Sequence, residues 1–254
     1  MKNVKCLITA GCSYTQVPNT DVTWPVPLNE YLKPETVLFL GQGAAGNGII
    51  SRKAIYNTVE QLKKYKPHEM LVGIMWSGFD RGTIYSTKEL NCTRIDFGDD
   101  HLVYANPVKV IDGKNYYITN THWNDPLSTE AKENFDKESS LLSTLEHILR
   151  TQWFLQSHNV PYFMTEYDYD VFDDYPFDRK TIKNNPDLKF LWDQIDWSKW
   201  LPIENCYSWA KYDSGFDFAR PPDTHPSTEQ HKALVERIIV PFLLDKKMVY
   251  DTIV

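Results

Sequence analysis

The order of apolar segments in the first 80 residues constrains the fold most. Residues 4–10 form a short apolar run that stops at Gly11, and residues 37–40 form a second. Residues 49–64 then carry Ile50, Ala54, Ile55, Val59 and Leu62 at helical spacing, with Pro67 ending the segment. Residues 70–76 are a third apolar run. Strand, loop, strand, helix, strand is the pattern of a parallel sheet with helical crossovers. Further on, residues 129–158 read as a long helix with Leu141, Leu142, Leu145, Ile148, Leu149 and Phe154 on its apolar side. Residues 160–165 read as a fourth strand. A final helix is expected from a cap at Ser227 to about Leu244, with Gln230 completing a capping box.

Two segments depart from that rhythm. Residues 82–125 are polar with β-prone pieces, and Asp112-Gly113 suits a hairpin turn. They read as a β-rich insertion, a hairpin or lid, within one domain spanning residues 1–254. Residues 166–222 are rich in Asp, Pro and aromatics and read as irregular.

Composition excludes several classes of function. The net charge is −7, from 27 Lys and Arg against 34 Asp and Glu, and no basic run marks a nucleic-acid footprint. The four cysteines, Cys6, Cys12, Cys92 and Cys206, show no paired metal or disulfide spacing, so reduced thiols and an intracellular setting are expected. The N-terminus runs straight into a strand without signal-peptide character. No apolar stretch approaches the roughly 20 residues of a membrane span. His101, His122 and His158 lack ligand spacing with carboxylates, so neither a metal nor a cofactor is expected. His231 is expected to be partly exposed on the last helix.

Three constellations carry chemistry. Gly11-Cys12-Ser13-Tyr14-Thr15 follows the first strand directly. Ligands of open parallel sheets bind outside the carboxyl ends of the strands. Ser13 is therefore placed for nucleophilic attack, and its own N–H for an oxyanion. Asp223-Thr224-His225-Pro226-Ser227 places a histidine just before a capped helix, with a carboxylate two residues earlier to orient it. The stretch from Gly41 to Gly48 lets backbone N–H groups approach a ligand closely. It suits either oxyanion donors, from Gly46 and the Asn47 side chain, or a phosphate cradle. Gly41-Gln42-Gly43-Ala44-Ala45-Gly46 matches the dinucleotide fingerprint letter by letter, but it follows the second strand rather than the first.

Taken in order, these motifs resemble the SGNH hydrolases, the GDSL-like esterases. That family places a serine after strand one, a glycine after strand two, an asparagine after strand three and an Asp/His pair before the last helix. The chain offers Gly11-Cys12-Ser13, Gly43 to Asn47, and Asp223 with His225-Pro226. It departs in three places: Cys12 stands for the usual Asp, Ser77 for the third-block Asn, and one residue rather than two separates Asp223 from His225. The resemblance implies a three-layer α/β/α sandwich around a central parallel sheet, flavodoxin-like, with the β-rich segment inserted. It implies an acyl-enzyme esterase with Ser13 as nucleophile, His225 as base and Asp223 orienting it. Ser13, Gly46, Asn47 and Ser77 would form the oxyanion hole, and Trp76, Arg81 and Tyr14 would contact substrate. Arg52 is a second nearby cation. Short acyl esters are the expected substrates, such as O-acetyl groups on carbohydrate. An acyltransferase, a non-catalytic module binding a glycan or a partner, and a nucleotide binder using residues 41–48 are the alternatives.

Overall fold

The computed structural model describes residues 4–17, 22–86, 95–97, 101–103, 108–110, 114–120, 129–130, 133–134, 136–167, 179–202 and 226–249. Its centre is a parallel sheet of β1 (Cys6–Ala10), β2 (Thr36–Phe39), β3 (Met70–Trp76) and a later strand, Tyr162–Glu166. The spatial order is β2, β1, β3, then Tyr162–Glu166. Cys6 pairs with Thr36 on one side and Met70 on the other, and Val72 pairs with Tyr162. Every residue of β1 and β3 is buried, as expected of strands covered on both faces.

Period-2 alternation sorts the side chains onto two cores. Cys6, Ile8, Ala10, Met70, Val72, Ile74, Trp76, Tyr162 and Met164 face one core, and Leu7, Leu71, Met75 and Phe163 face the other. The first core is covered by α2 (Asn47–Leu62) and α3 (Lys137–Ser157), through Ile50, Ala54, Leu141, Leu145 and Ile148. The second is covered by α1 (Pro25–Leu32) and the last helices, through Leu28, Leu234, Ile239 and Leu243. The result is the expected three-layer α/β/α arrangement.

Helix ends follow local chemistry. Pro25 opens α1, where its missing N–H costs nothing. Residues 129–130 and 133 are helical, as expected, but the long helix begins anew at Lys137, because Asp136 is extended and its carboxylate accepts from Ser139 N at 2.7 Å. Between β3 and α3 lie β4 (Arg81–Ser86), β5 (Ile95–Phe97), β6 (His101–Val103), β7 (Val108–Val110) and β8 (Lys114–Asn120). They pair antiparallel as β4-β8-β7 and β5-β6, so the expected β-rich insertion is present. Asp112 and Gly113 lie outside the described residues. The strand Tyr162–Glu166 is β9.

The segment read as irregular contains α4 (Arg179–Asn184) and α5 (Pro186–Trp192). Asn185 caps the second, accepting from Asp187 N and Leu188 N. An Asn followed by Pro at the first helical position was the available signal. The final helix begins as α6 (Thr228–Leu234) behind the anticipated box: Ser227 N donates to Gln230 Oε1 at 2.7 Å, and Gln230 N donates to Ser227 Oγ at 3.3 Å. It widens into a π turn at Val235–Ile239 and resumes as α7 (Val240–Asp245). Pro241 has no N–H for an i−4 bond, which favours a slipped ladder in the preceding turn. His231 proves to be buried, at 2% exposure, rather than partly exposed. Among the described residues no helix is long and apolar enough to cross a membrane.

Candidate active site

β1 is followed by β2 on one side and β3 on the other, so the direction of winding reverses at β1. The carboxyl ends of β1 and β3 are therefore the switch point, outside which ligands of such sheets bind. Ser13 stands there as the first residue of a one-turn 3-10 helix, Ser13–Thr15.

The turn is clamped from several sides. Thr15 N donates to Cys12 O at 3.0 Å, and Gln42 N donates to Gly11 O at 3.0 Å. The Trp24 indole N–H donates to Thr15 Oγ1 at 3.0 Å, and Thr23 Oγ1 donates to Gln16 O at 3.0 Å. Two glycines are sterically required. A Cβ at Gly11 would lie 2.2 Å from Thr15 Oγ1, and one at Gly41 would lie 2.2 Å from the Thr15 carbonyl. The glycine-rich stretch thus lets the loop after β2 press on the Ser13 turn. Val22 N donates to Thr228 Oγ1 at 3.1 Å, tying the chain beyond that turn to the start of α6.

The loop after β3 is held differently. Asn47 opens α2 and is 2% exposed. Its Nδ2 donates to Ser77 O at 2.9 Å and Thr144 Oγ1 at 3.2 Å, while its Oδ1 accepts from Ser77 N at 2.8 Å. Both amide hydrogens are engaged, so Asn47 positions Ser77 instead of offering an oxyanion donor. Gly46, the extended N-cap of α2, packs on the same loop: a Cβ there would lie 2.3 Å from Arg81 O. Its N–H precedes the helix, where donors have no intrahelical acceptor.

Ser77 is fully buried, and its Oγ accepts from Arg81 Nη1 at 2.9 Å. Arg81 Nη2 donates to Tyr167 OH at 3.2 Å, and the guanidinium carbon lies 4.8 Å from the centre of the Tyr167 ring. Tyr14 meets Tyr167 edge-on at 5.1 Å. Burial works against the charge on Arg81, but Tyr167, Cys12, Asp80 and Tyr14 outweigh it and raise its pKa. Arg81 and Tyr14 are thus brought together beside the Ser13 turn. Trp76 is not part of this group: it is fully buried in the core under α2 and α3, which its place as the last inward residue of β3 dictates. Arg52 is exposed and interacts with His147 and Arg150 across the α2–α3 flank. Asp223 and His225 lie outside the described residues, as does His122.

Three residues escaped the sequence reading. Tyr167 follows β9 and completes the aromatic and cationic group, while Glu166, 2% exposed, ends that strand. The rule that pointed to Ser13, position at the carboxyl end of a parallel strand, applied to them equally. Lys53 donates to Gln42 Oε1 at 3.4 Å behind the glycine-rich loop, and burial lowers its pKa to about 8. Among the described residues no group of His, Cys, Asp and Glu is arranged to hold a metal ion.

No family model matches the chain, and no curated protein matches it. Among solved structures, one assigned to the lipolytic G-D-S-L family, from Desulfitobacterium hafniense DCB-2, is similar at 13% sequence identity. The match covers 91% of this chain and 96% of that one, with a TM-score of 0.43.

Proposed function

We propose that the chain is a serine ester hydrolase acting through an acyl-enzyme on Ser13. The observation that carries this reading is Ser13 itself, at the head of a clamped turn at the switch point of the sheet. In this reading Ser13 Oγ attacks the ester carbonyl while His225 takes its proton, with Asp223 orienting the imidazole. The N–H groups of Ser13 and Gly46 hold the oxyanion. His225 returns the proton to the departing alcohol, then activates the water that releases the acid. The Val22–Thr228 hydrogen bond supports the pairing, because it fastens the start of α6, three residues past His225, to the segment leaving the Ser13 turn. Short acyl esters are the proposed substrates.

Hydrolysis of p-nitrophenyl acetate by wild type and Ser13→Ala tests the reading, together with fluorophosphonate labelling. Labelling confined to Ser13 and a rate lower by about 10³-fold or more in the variant are expected. Equal rates would end the nucleophile assignment.

A further inference from the structure

We infer that the crevice at Ser13 takes esters bearing a carboxylate close to the scissile carbonyl, and that Arg81 is the residue selecting them. The inference rests on the esterase reading and adds its substrate class. A guanidinium has five N–H donors and is always charged. Two of those donors are used, on Ser77 Oγ and Tyr167 OH. Nε is enclosed and has no hydrogen-bond partner. Among the described residues no carboxylate lies within salt-bridge distance of Arg81. Asp80 supports the charge only from beyond that distance, and a buried cation without a paired carboxylate is costly.

The side chain is also fixed in place. Ser77, itself anchored by Asn47, holds one side of the guanidinium, and Tyr167 supports it with both hydroxyl and ring face. The Tyr14 ring braces Tyr167. The remaining hydrogen on each Nη of this rigid guanidinium suits a carboxylate, which it meets in a charge-assisted N–H···O bond. Tyr14, next to Ser13 in the chain, packs edge-on against the same Tyr167 ring that lies under the guanidinium, which brings a carboxylate held by Arg81 near the reacting ester. Hydrolysis itself is unchanged: the ester C–O bond breaks, water supplies the hydroxyl, and the carboxylate is a spectator.

The experiment compares charged and neutral esters by pH-stat. Monomethyl succinate against methyl butyrate places the anion on the acyl side. Acetoxyacetate against propyl acetate places it on the alcohol side. Wild type should favour the charged ester of at least one pair by 10- to 100-fold in kcat/KM, and Arg81→Met should erase that preference. Arg81→Lys should restore part of it. Charge preference on either side supports the inference and names the side. No preference in either pair overturns it, and so does an Arg81→Met loss equal for charged and neutral esters, which would mark Arg81 as serving the reaction in general.

A second measurement needs no turnover. Succinate, but not dimethyl succinate, should raise the Tm of Ser13→Ala protein, and the shift should vanish in Ser13→Ala/Arg81→Met. If no ester is cleaved and Ser13 resists labelling, the esterase reading fails. The succinate shift then still tests Arg81 by itself: its presence supports the anion site and its absence overturns it.

Discussion

The loops after β1 and β3 leave neighbouring strands at the same sheet edge and are built by different means. The first is held mainly by backbone: its turn closes on its own carbonyls, and two glycines admit contacts at distances no side chain tolerates. The second is held by side chains, with Asn47 taking both backbone groups of Ser77 and Arg81 spanning Ser77 and Tyr167. The backbone clamp fixes where Ser13, the proposed nucleophile, stands, whereas the side-chain lattice sets what charge lies beside it. Selectivity should therefore change at the β3 end without loss of the attacking group.

Substitutions can break that contrast. Asn47→Ala should cost most, about 3 kcal/mol, because it strands Ser77 N and O in the interior. Urea unfolding would measure it, and a loss under 1 kcal/mol would show that water or repacking replaces the amide. Gly41→Ala follows at about 2–3 kcal/mol, since its Cβ must displace the Thr15 carbonyl. Because that strain falls on the Ser13 turn, esterase activity at temperatures well below Tm should drop in Gly41→Ala more than in Asn47→Ala. The reverse order would mean the two ends do not divide the labour as described.

A smaller effect is read by pH, on the α2–α3 flank away from both loops. Burial first, then Arg150 and Arg52, lowers the pKa of His147 to about 4, against an ordinary value near 6.5. Between those values the unfolded chain binds the extra proton, so stability is lost as pH falls from 6.5 to 4. The loss should be on the order of 1–2 kcal/mol, given partial exposure. The difference between wild type and His147→Gln across that window isolates it; a constant difference would reject the shift. Smallest is Thr23→Val, about 1 kcal/mol, which removes the hydroxyl bond to Gln16 O and keeps the side-chain volume. Thermal unfolding checks it.

The parallel core was legible because its signals are local and redundant. β1 and β3 are buried on both faces and read as unbroken apolar runs, and Ser227 with Gln230 forms a box visible in four letters. The break at Asp136, between the helical residues near 129 and the long helix, was missed because apolar spacing does not register a single capping aspartate. α4 and α5 were missed because they are short and their Asn-Pro start is weaker than a hydrophobic stripe. At the site, strand-end logic pointed to Ser13, and the family resemblance pointed to Ser77 and Arg81. It did not foresee that Asn47 would be consumed by Ser77, since an amide's partners across 30 residues of chain are set by packing.

The π turn at Val235–Ile239 has a consequence for how this chain tolerates changes in length. Such a turn holds one residue more than an α-helix needs between the same two ends. Removing a residue from an ordinary helix rotates everything downstream by about 100°, which here would swing Phe242 and Leu243 away from the sheet. Removing one between Val235 and Ile239, together with Pro241→Ala, would instead let the helix relax into regular winding with its apolar stripe in phase. The C-terminal layer therefore contains a one-residue slack, and a shortened relative could share this fold with the gap falling there.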